Sequence, residues 1–189
     1  MVVVSPHLDD AVFGCGALLA ARPGSTVVTL FAGAPPAAGS IRTDWDARCG
    51  FADAAEAIAA RRAEDAAALA LLGARPLWLD FLDGQYGDGE RVDALAAALR
   101  AALGPIGTDC LLYPLALFHS DHLRAHEAAR AALAGRVGVE SLAYEDAIYR
   151  SRPGLLQQRL AALAAAGLEA TPAPLPPATD GHAAMKARA

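Results

Sequence analysis

Along the chain, short apolar runs rich in β-branched residues alternate with longer stretches of alanine and leucine. The short runs read as strands buried on both faces, and the longer stretches read as helices. Met1–Ser5 is the first strand, and Asp10–Ala21 is a helix ended by Arg22-Pro23-Gly24. Ser25–Phe31 is the second strand; a Gly/Pro/Ala loop from Gly33 to Ser40 and a polar segment, Ile41–Gly50, follow it. Phe51–Leu72 is a long helix with Gly73 at its C-terminus. Ala74–Phe81 is the third strand, followed by the turn-rich Asp83–Gly89 and by a helix over Arg91–Leu103 that Gly104 closes. Cys110–Leu115, His122–Leu133, Ser141–Tyr149 and Gly154–Ala166 read as strand, helix, strand and helix. Such alternation predicts an α/β fold: a three-layer, Rossmann-like domain with a mostly parallel sheet and helices on both faces. The domain spans residues 1–170; residues 171–189, Pro/Ala-rich and without periodicity, read as a poorly ordered C-terminal tail.

In folds of this kind ligands bind beyond the carboxyl ends of the strands. His7, Asp9 and Asp10 follow the first strand, Asp80 and Asp83 the third, and His119, Asp121 and His122 the fourth, so all converge on one sheet edge. Two histidines and a carboxylate from separate strand ends make an open three-ligand site for a divalent metal, with a position left for water. Neutral imidazole and carboxylate suit zinc, with iron or manganese as alternatives. Such a metal brings the pKa of bound water toward about 7. A remaining carboxylate then serves as general base, and a remaining histidine held by a carboxylate as electrophile or general acid. The spacing alone does not decide between Asp9 and Asp10 as the ligand. Simpler roles exist as well. Asp9 or Asp10 can cap the following helix, and Asp121 can cap the helix that begins near His122 while orienting His119. His126 reads as a helix-surface neighbour of His122 or a group behind a ligand, His182 as solvated surface, and Arg61 with Glu64 as an ordinary pair three residues apart.

The 189 residues suit one domain, and the net charge of -5, with no basic stripe, argues against a nucleic-acid partner. No apolar run is long enough for a membrane span, and no basic region precedes the first valines as a signal peptide requires. Cys15, Cys49 and Cys110 are odd in number and far apart, which predicts reduced, buried thiols and a cytoplasmic protein. Gly14-Cys15-Gly16 lacks the third glycine of a dinucleotide fingerprint, since Leu19 stands there. The phosphate-loop pattern and the Gly-x-Ser-x-Gly elbow of serine hydrolases are absent.

Ser5-Pro6-His7-Leu8-Asp9-Asp10, with His119-Ser120-Asp121-His122 after the fourth strand, resembles the LmbE-like, or PIG-L, zinc-dependent de-N-acetylases. That family's signature is His-Pro/Leu-Asp-Asp followed much later by His-x-Asp-His, and its members remove acetyl groups from N-acetylglucosaminyl lipids, glycosides and related amino sugars. Arg61-Arg62-Ala63-Glu64 and Leu71-Leu72-Gly73 resemble the same family. Trp45-Asp46, Cys49-Gly50-Phe51, Leu82–Tyr86 and Tyr144-Glu145-Asp146 are similar to a bacterial subgroup of it. The resemblance runs from about Val2 to Tyr149. It implies His7, Asp10 and His122 as ligands of Zn2+, or of Fe2+ or another divalent metal, and Asp9 as general base on metal-activated water. It implies that His119, oriented by Asp121, stabilises the oxyanion or protonates the departing amine, and that Arg61, Asp83 and Trp45 contact substrate. The chain departs from the family at Ala11, where many members carry Glu, and at Leu117, where some sugar-specific members carry Tyr. The implied function is hydrolysis of an N-acetyl or other N-acyl group on a small-molecule amino-sugar conjugate. Hydrolysis of another amide or ester, and non-catalytic sugar binding, are the alternatives.

Overall fold

Three consecutive valines, Val2–Val4, make the centre of the sheet, and all three are fully buried. Val2 and Val4 pack on one face and Val3 on the other, which is why the first strand shows no polar alternation. The computed structural model describes residues 1–87, 89–174 and 179–189. In chain order its elements are β1 (Val2–Ser5), α1 (Asp10–Ala20), β2 (Thr26–Thr29), α2 (Asp44–Arg48), α3 (Ala54–Leu71), β3 (Arg75–Trp78) and α4 (Val92–Ile106). They continue with β4 (Cys110–Pro114), α5 (Ser120–Leu133), β5 (Glu140–Tyr144), α6 (Leu155–Ala165) and α7 (Asp180–Arg188).

The five strands are all parallel, in the order β3-β2-β1-β4-β5, as the sequence pattern predicts for an α/β domain. Leu95, Leu99 and Leu103 of α4 and Ala125, Ala128, Ala129 and Ala132 of α5 cover one face. Val12, Cys15 and Leu19 of α1, with Ala68, Leu69 and Leu72 at the end of α3, cover the other. The chain builds outward from β1 to β3, and α4 then returns it to the far side of β1 for β4 and β5. The carboxyl ends of β1 and β4 therefore flank the point where the strand order reverses, and a ligand crevice belongs there.

Five expectations change. The strand expected over Ser141–Tyr149 runs only over Glu140–Tyr144, so Asp146 and Tyr149 lie past its carboxyl end. The helix expected to end at Gly104 continues through Pro105 to Ile106, because its last turn is anchored by the buried Leu103, and Gly107 at φ 62 ends it. Within the polar segment 41–50, Thr43 and Asp46 form a reciprocal cap that starts α2. Cys15 and Cys110 are buried, but Cys49, just past α2, is exposed. In the expected tail, Thr179 and His182 cap α7, which lies against α1: Lys186 Nζ donates to the Phe13 carbonyl at 2.6 Å. Gly16 makes room for this, since a Cβ there would stand 2.7 Å from Lys186 Cγ. His182 is thus half-buried as a capping residue, and residues 175–178 of that stretch lie outside the described ones. No helix among the described residues is long and apolar enough to cross a membrane.

Gly33 marks the tightest approach near the sheet edge, since a Cβ there would lie 2.4 Å from the Asp80 carbonyl oxygen. Its own N–H donates to the Phe81 carbonyl at 2.9 Å. Both neighbours are backbone, so neither can move cheaply. Gly33→Ala is therefore expected to lower unfolding free energy by about 1–3 kcal/mol in urea titration. Gly39→Ala, where an added Cβ meets nothing, serves as the control.

Candidate active site

The turn from β1 into α1 carries the first cluster. Asp9 holds φ 98, a conformation that side chains rarely adopt and that folded proteins retain mainly at functional sites. Its carboxylate caps nothing in α1. Ser5 Oγ instead accepts the Ala11 N–H at 3.0 Å, and Asp10 Oδ2 accepts the His7 N–H at 3.0 Å. The capping alternative for the acidic pair thus falls to Ser5 and the turn closure to Asp10, which leaves Asp9 free.

The turn from β4 into α5 carries the second cluster, past Ala116 at φ 67. The cap of α5 is His119, not Asp121: His119 Nδ1 accepts the Asp121 N–H at 3.2 Å, and the helix begins at Ser120. Because a backbone N–H points at Nδ1, the neutral His119 ring carries its proton on Nε2. The Asp121 carboxylate lies 3.9 Å from His119 Nδ1 but accepts from His7 Nε2 at 3.1 Å. The contact expected between the Asp121 side chain and His119 is therefore made by the Asp121 backbone.

The two clusters meet at Asp10. Its Oδ2 is 3.3 Å from His7 Nδ1 and 3.2 Å from His122 Nε2. Tetrahedral ligands at zinc distances of 2.0–2.1 Å are separated by roughly 3.3 Å, so this donor set fits such an ion. His7, His119 and Asp121 also bring possible ligand atoms within 4.8 Å of one another. That second set is the poorer one. Asp121 Oδ2 already accepts from His7 and from the Gly84 N–H at 2.9 Å, and its Oδ1 from Arg124 at 2.8 Å.

The charges follow from this crowding. Burial works against charge on His7, yet Asp10 and Asp121 outweigh it and lift its pKa to about 10. Burial likewise opposes charge on His122, but Asp10 and Asp146 raise it to about 9. Asp10, despite its burial, is held well below the usual carboxylate range by His122 and His7. Asp9 is open to the cleft, but the protein crowded around it and the adjacent Asp10 charge push it up to about 7. Burial and the neighbouring His7 charge lower His119, which keeps it neutral.

The cleft above these groups has a volume of about 730 Å3 and includes Trp45, Phe51, Ile148 and Tyr149 in its walls. Trp45 is 56% exposed there. Asp83 holds Gln85 through the side-chain amide at 2.9 Å and lies 3.9 Å from His7 Nε2. Arg61 lies over the Phe51 ring and reaches not Glu64 but the fully buried Asp46, at 3.4 Å. Asp46 also accepts from Tyr86 Oη at 2.8 Å. Asp80 turns outward to Arg62. His126 is buried rather than on the helix surface, with Nδ1 donating to the Pro114 carbonyl at 2.9 Å.

Three participants escaped assignment from sequence: Asp46, Tyr149 and Asp146. Asp146 pairs with His122 Nδ1, and Tyr149 packs edge-on to the same ring. Asp46 and Asp146 stand in the stretches similar to the bacterial subgroup, but nothing in the spacing says what their carboxylates face.

Over residues 2–133 the chain matches the PIG-L family, described as GlcNAc-PI de-N-acetylase. It is 33% identical over 169 residues to 2'-N-acetylparomamine deacetylase of Streptomyces fradiae, an alignment that takes in 78% of this chain. The chain spans 57% of the length of that curated relative. Among solved structures, a deacetylase triple mutant from the teicoplanin biosynthetic pathway has a TM-score of 0.78 at 26% identity, covering 99% of this chain and 78% of that one. The zinc-inhibited form of teicoplanin deacetylase has the same TM-score of 0.78 at 23% identity, covering 99% and 80%, a likeness of fold.

Imidazoles that carry protons must lose them before they can ligate a metal. Zinc uptake at pH 7 is therefore expected to release close to two protons, one each from His7 and His122, and apparent affinity is expected to rise with pH toward about 9–10. Calorimetry in buffers of different ionisation enthalpy measures this, and a buffer-independent heat would contradict it.

Proposed function

Because this chain belongs to the PIG-L family of GlcNAc-PI de-N-acetylases, we propose that it is a metal-dependent hydrolase that removes an N-acetyl group from an amino-sugar conjugate. The observation that carries the proposal is the meeting of His7, Asp10 and His122 at the β1/β4 edge with the Asp9 carboxylate left uncommitted. His7 Nδ1, Asp10 Oδ2 and His122 Nε2 would hold the metal, and two imidazoles with one carboxylate suit Zn2+, with Fe2+ the alternative. When bound, the metal supplies Lewis acidity toward the amide carbonyl and makes water a usable nucleophile near neutral pH.

Asp9 takes the proton of the attacking water. Its carboxylate caps nothing in α1 and opens into the cleft, which leaves it available for that task. His119, neutral and carrying its proton on Nε2, hydrogen-bonds to the carbonyl oxygen as that oxygen becomes negative, and the proton that Asp9 took from the water passes to the departing amine. Asp121 supports this through its backbone N–H on His119 Nδ1 and through its carboxylate on His7. The sugar lies in the cleft, its apolar face on Trp45 and Tyr149 and its hydroxyls toward Asp83 and Arg61. The partner is thus a small-molecule N-acetyl amino sugar. Three unpaired thiols support a cytoplasmic protein.

Incubation with N-acetylglucosamine conjugates, with zinc and with ferrous iron in parallel, is expected to yield acetate and free amine in equal amounts. Asp9→Asn should retain metal and lose turnover by about 10²–10⁴-fold; undiminished turnover would remove Asp9 as the base. His122→Ala should lose bound metal in elemental analysis, and equal metal in the two proteins would sink the ligand assignment.

A further inference from the structure

We infer that Asp146 is a positioning residue of the metal centre: its buried carboxylate sets the His122 ring for ligation through Nε2 and ties that ring to the turn that presents His119. The inference rests on the reading of His122 as a ligand. Asp146 follows β5, beyond residues 2–133 over which the chain matches its family.

Asp146 is 3% exposed, and a carboxylate withdrawn from water persists only where its oxygens are used. One oxygen pairs with His122 Nδ1, and the other accepts the Leu117 N–H at 2.9 Å. An ionised carboxylate can only accept, so the shared proton places His122 in its Nδ1–H form. Nε2 is then the nitrogen left for a metal once its own proton, directed at Asp10 Oδ2 3.2 Å away, has been released. A carboxylate behind a ligating imidazole holds the ring orientation and raises its basicity. The same arrangement stands behind His7, where Nε2 meets Asp121 at 3.1 Å.

The second oxygen does separate work. Leu117 follows Ala116, whose φ of 67 turns the chain from β4 toward His119. That turn is held at Pro114 by His126 Nδ1 at 2.9 Å and at the Leu115 carbonyl by Arg159 Nε at 2.8 Å. The Leu115 N–H reaches the Tyr144 carbonyl at 2.7 Å. Asp146 is the member of this set that also touches a metal-ligand candidate, so it joins the strand-end turn to the ligand.

The test measures zinc Kd by chelator competition on the zinc-free, full-length wild type, Asp146→Asn, Asp146→Ala and His122→Ala, with thermal unfolding of each recorded alongside. Both Asp146 variants are expected to bind zinc about 10–100-fold more weakly, Ala no better than Asn. In the zinc-loaded wild type, nitrogen-edited NMR should show His122 as the Nδ1–H tautomer with a downfield proton that shifts in Asp146→Asn. Unchanged zinc affinity in a folded Asp146→Asn, with binding lost in His122→Ala, overturns the positioning role and leaves the ligand reading standing. Equal binding by His122→Ala overturns the ligand reading itself. Should neither Asp146 variant fold, an Nε2–H tautomer in the zinc-loaded wild type overturns the inference on its own.

Discussion

Negative charge gathered around three imidazoles is the constraint on which this molecule turns. Asp10, Asp121 and Asp146 are in contact with His7 or His122, and Asp9 and Asp83 stand close by. Carboxylates packed this closely need positive charge among them. Without a cation, protons on His7 and His122 supply it, and both imidazoles are correspondingly raised in pKa. A divalent ion held by His7, Asp10 and His122, as proposed, would do the same work and let both rings go neutral. The protonation of these rings and the chemistry proposed for the site have one cause.

The scaffold brings this charge to one place because β1 and β4 lie side by side where the strand order reverses. Groups more than a hundred residues apart then share an edge, so His7 reaches Asp121 across 114 positions of sequence. Local backbone chemistry separates the roles of the two adjacent aspartates. Ser5 satisfies the helix N–H that Asp9 would otherwise cap, and the positive φ at Asp9 turns Asp10 back onto the His7 N–H. A strained residue is retained because both helix and turn hold it.

The cleft wall is organised by another buried carboxylate. Asp46 accepts Tyr86 Oη and meets Arg61, while its reciprocal cap with Thr43 continues through Thr43 Oγ1 to Gln85 at 2.8 Å. Trp45 and Asp83, the residues expected at the substrate, thus sit on a hydrogen-bonded frame rather than on independent loops. The C-terminal third of the chain contributes in kind. Asp146 and Arg159 secure the turn before His119, and α7 rests on α1 through Lys186.

Sequence by itself determined the α/β class, the burial of the triple-valine strand on both faces, and the convergence of His7, Asp9, Asp10, His119, Asp121 and His122 on one edge. All of these follow from local periodicity and from the rule that ligands lie beyond parallel strand ends. It could not determine which partner each polar group selects, because hydrogen bonding depends on distance in space. Asp121 sits two residues from His119 yet gives its carboxylate to His7, and Arg61 passes over Glu64, three residues away, for the distant Asp46. The α7 helix was invisible for a related reason. Its short, weakly patterned stretch is a helix through its cap and its seat on α1, both decided by tertiary packing. Only the folded chain could show that Asp146, 24 residues after His122, stands behind that ring, since the distance is closed by β5 lying alongside β4.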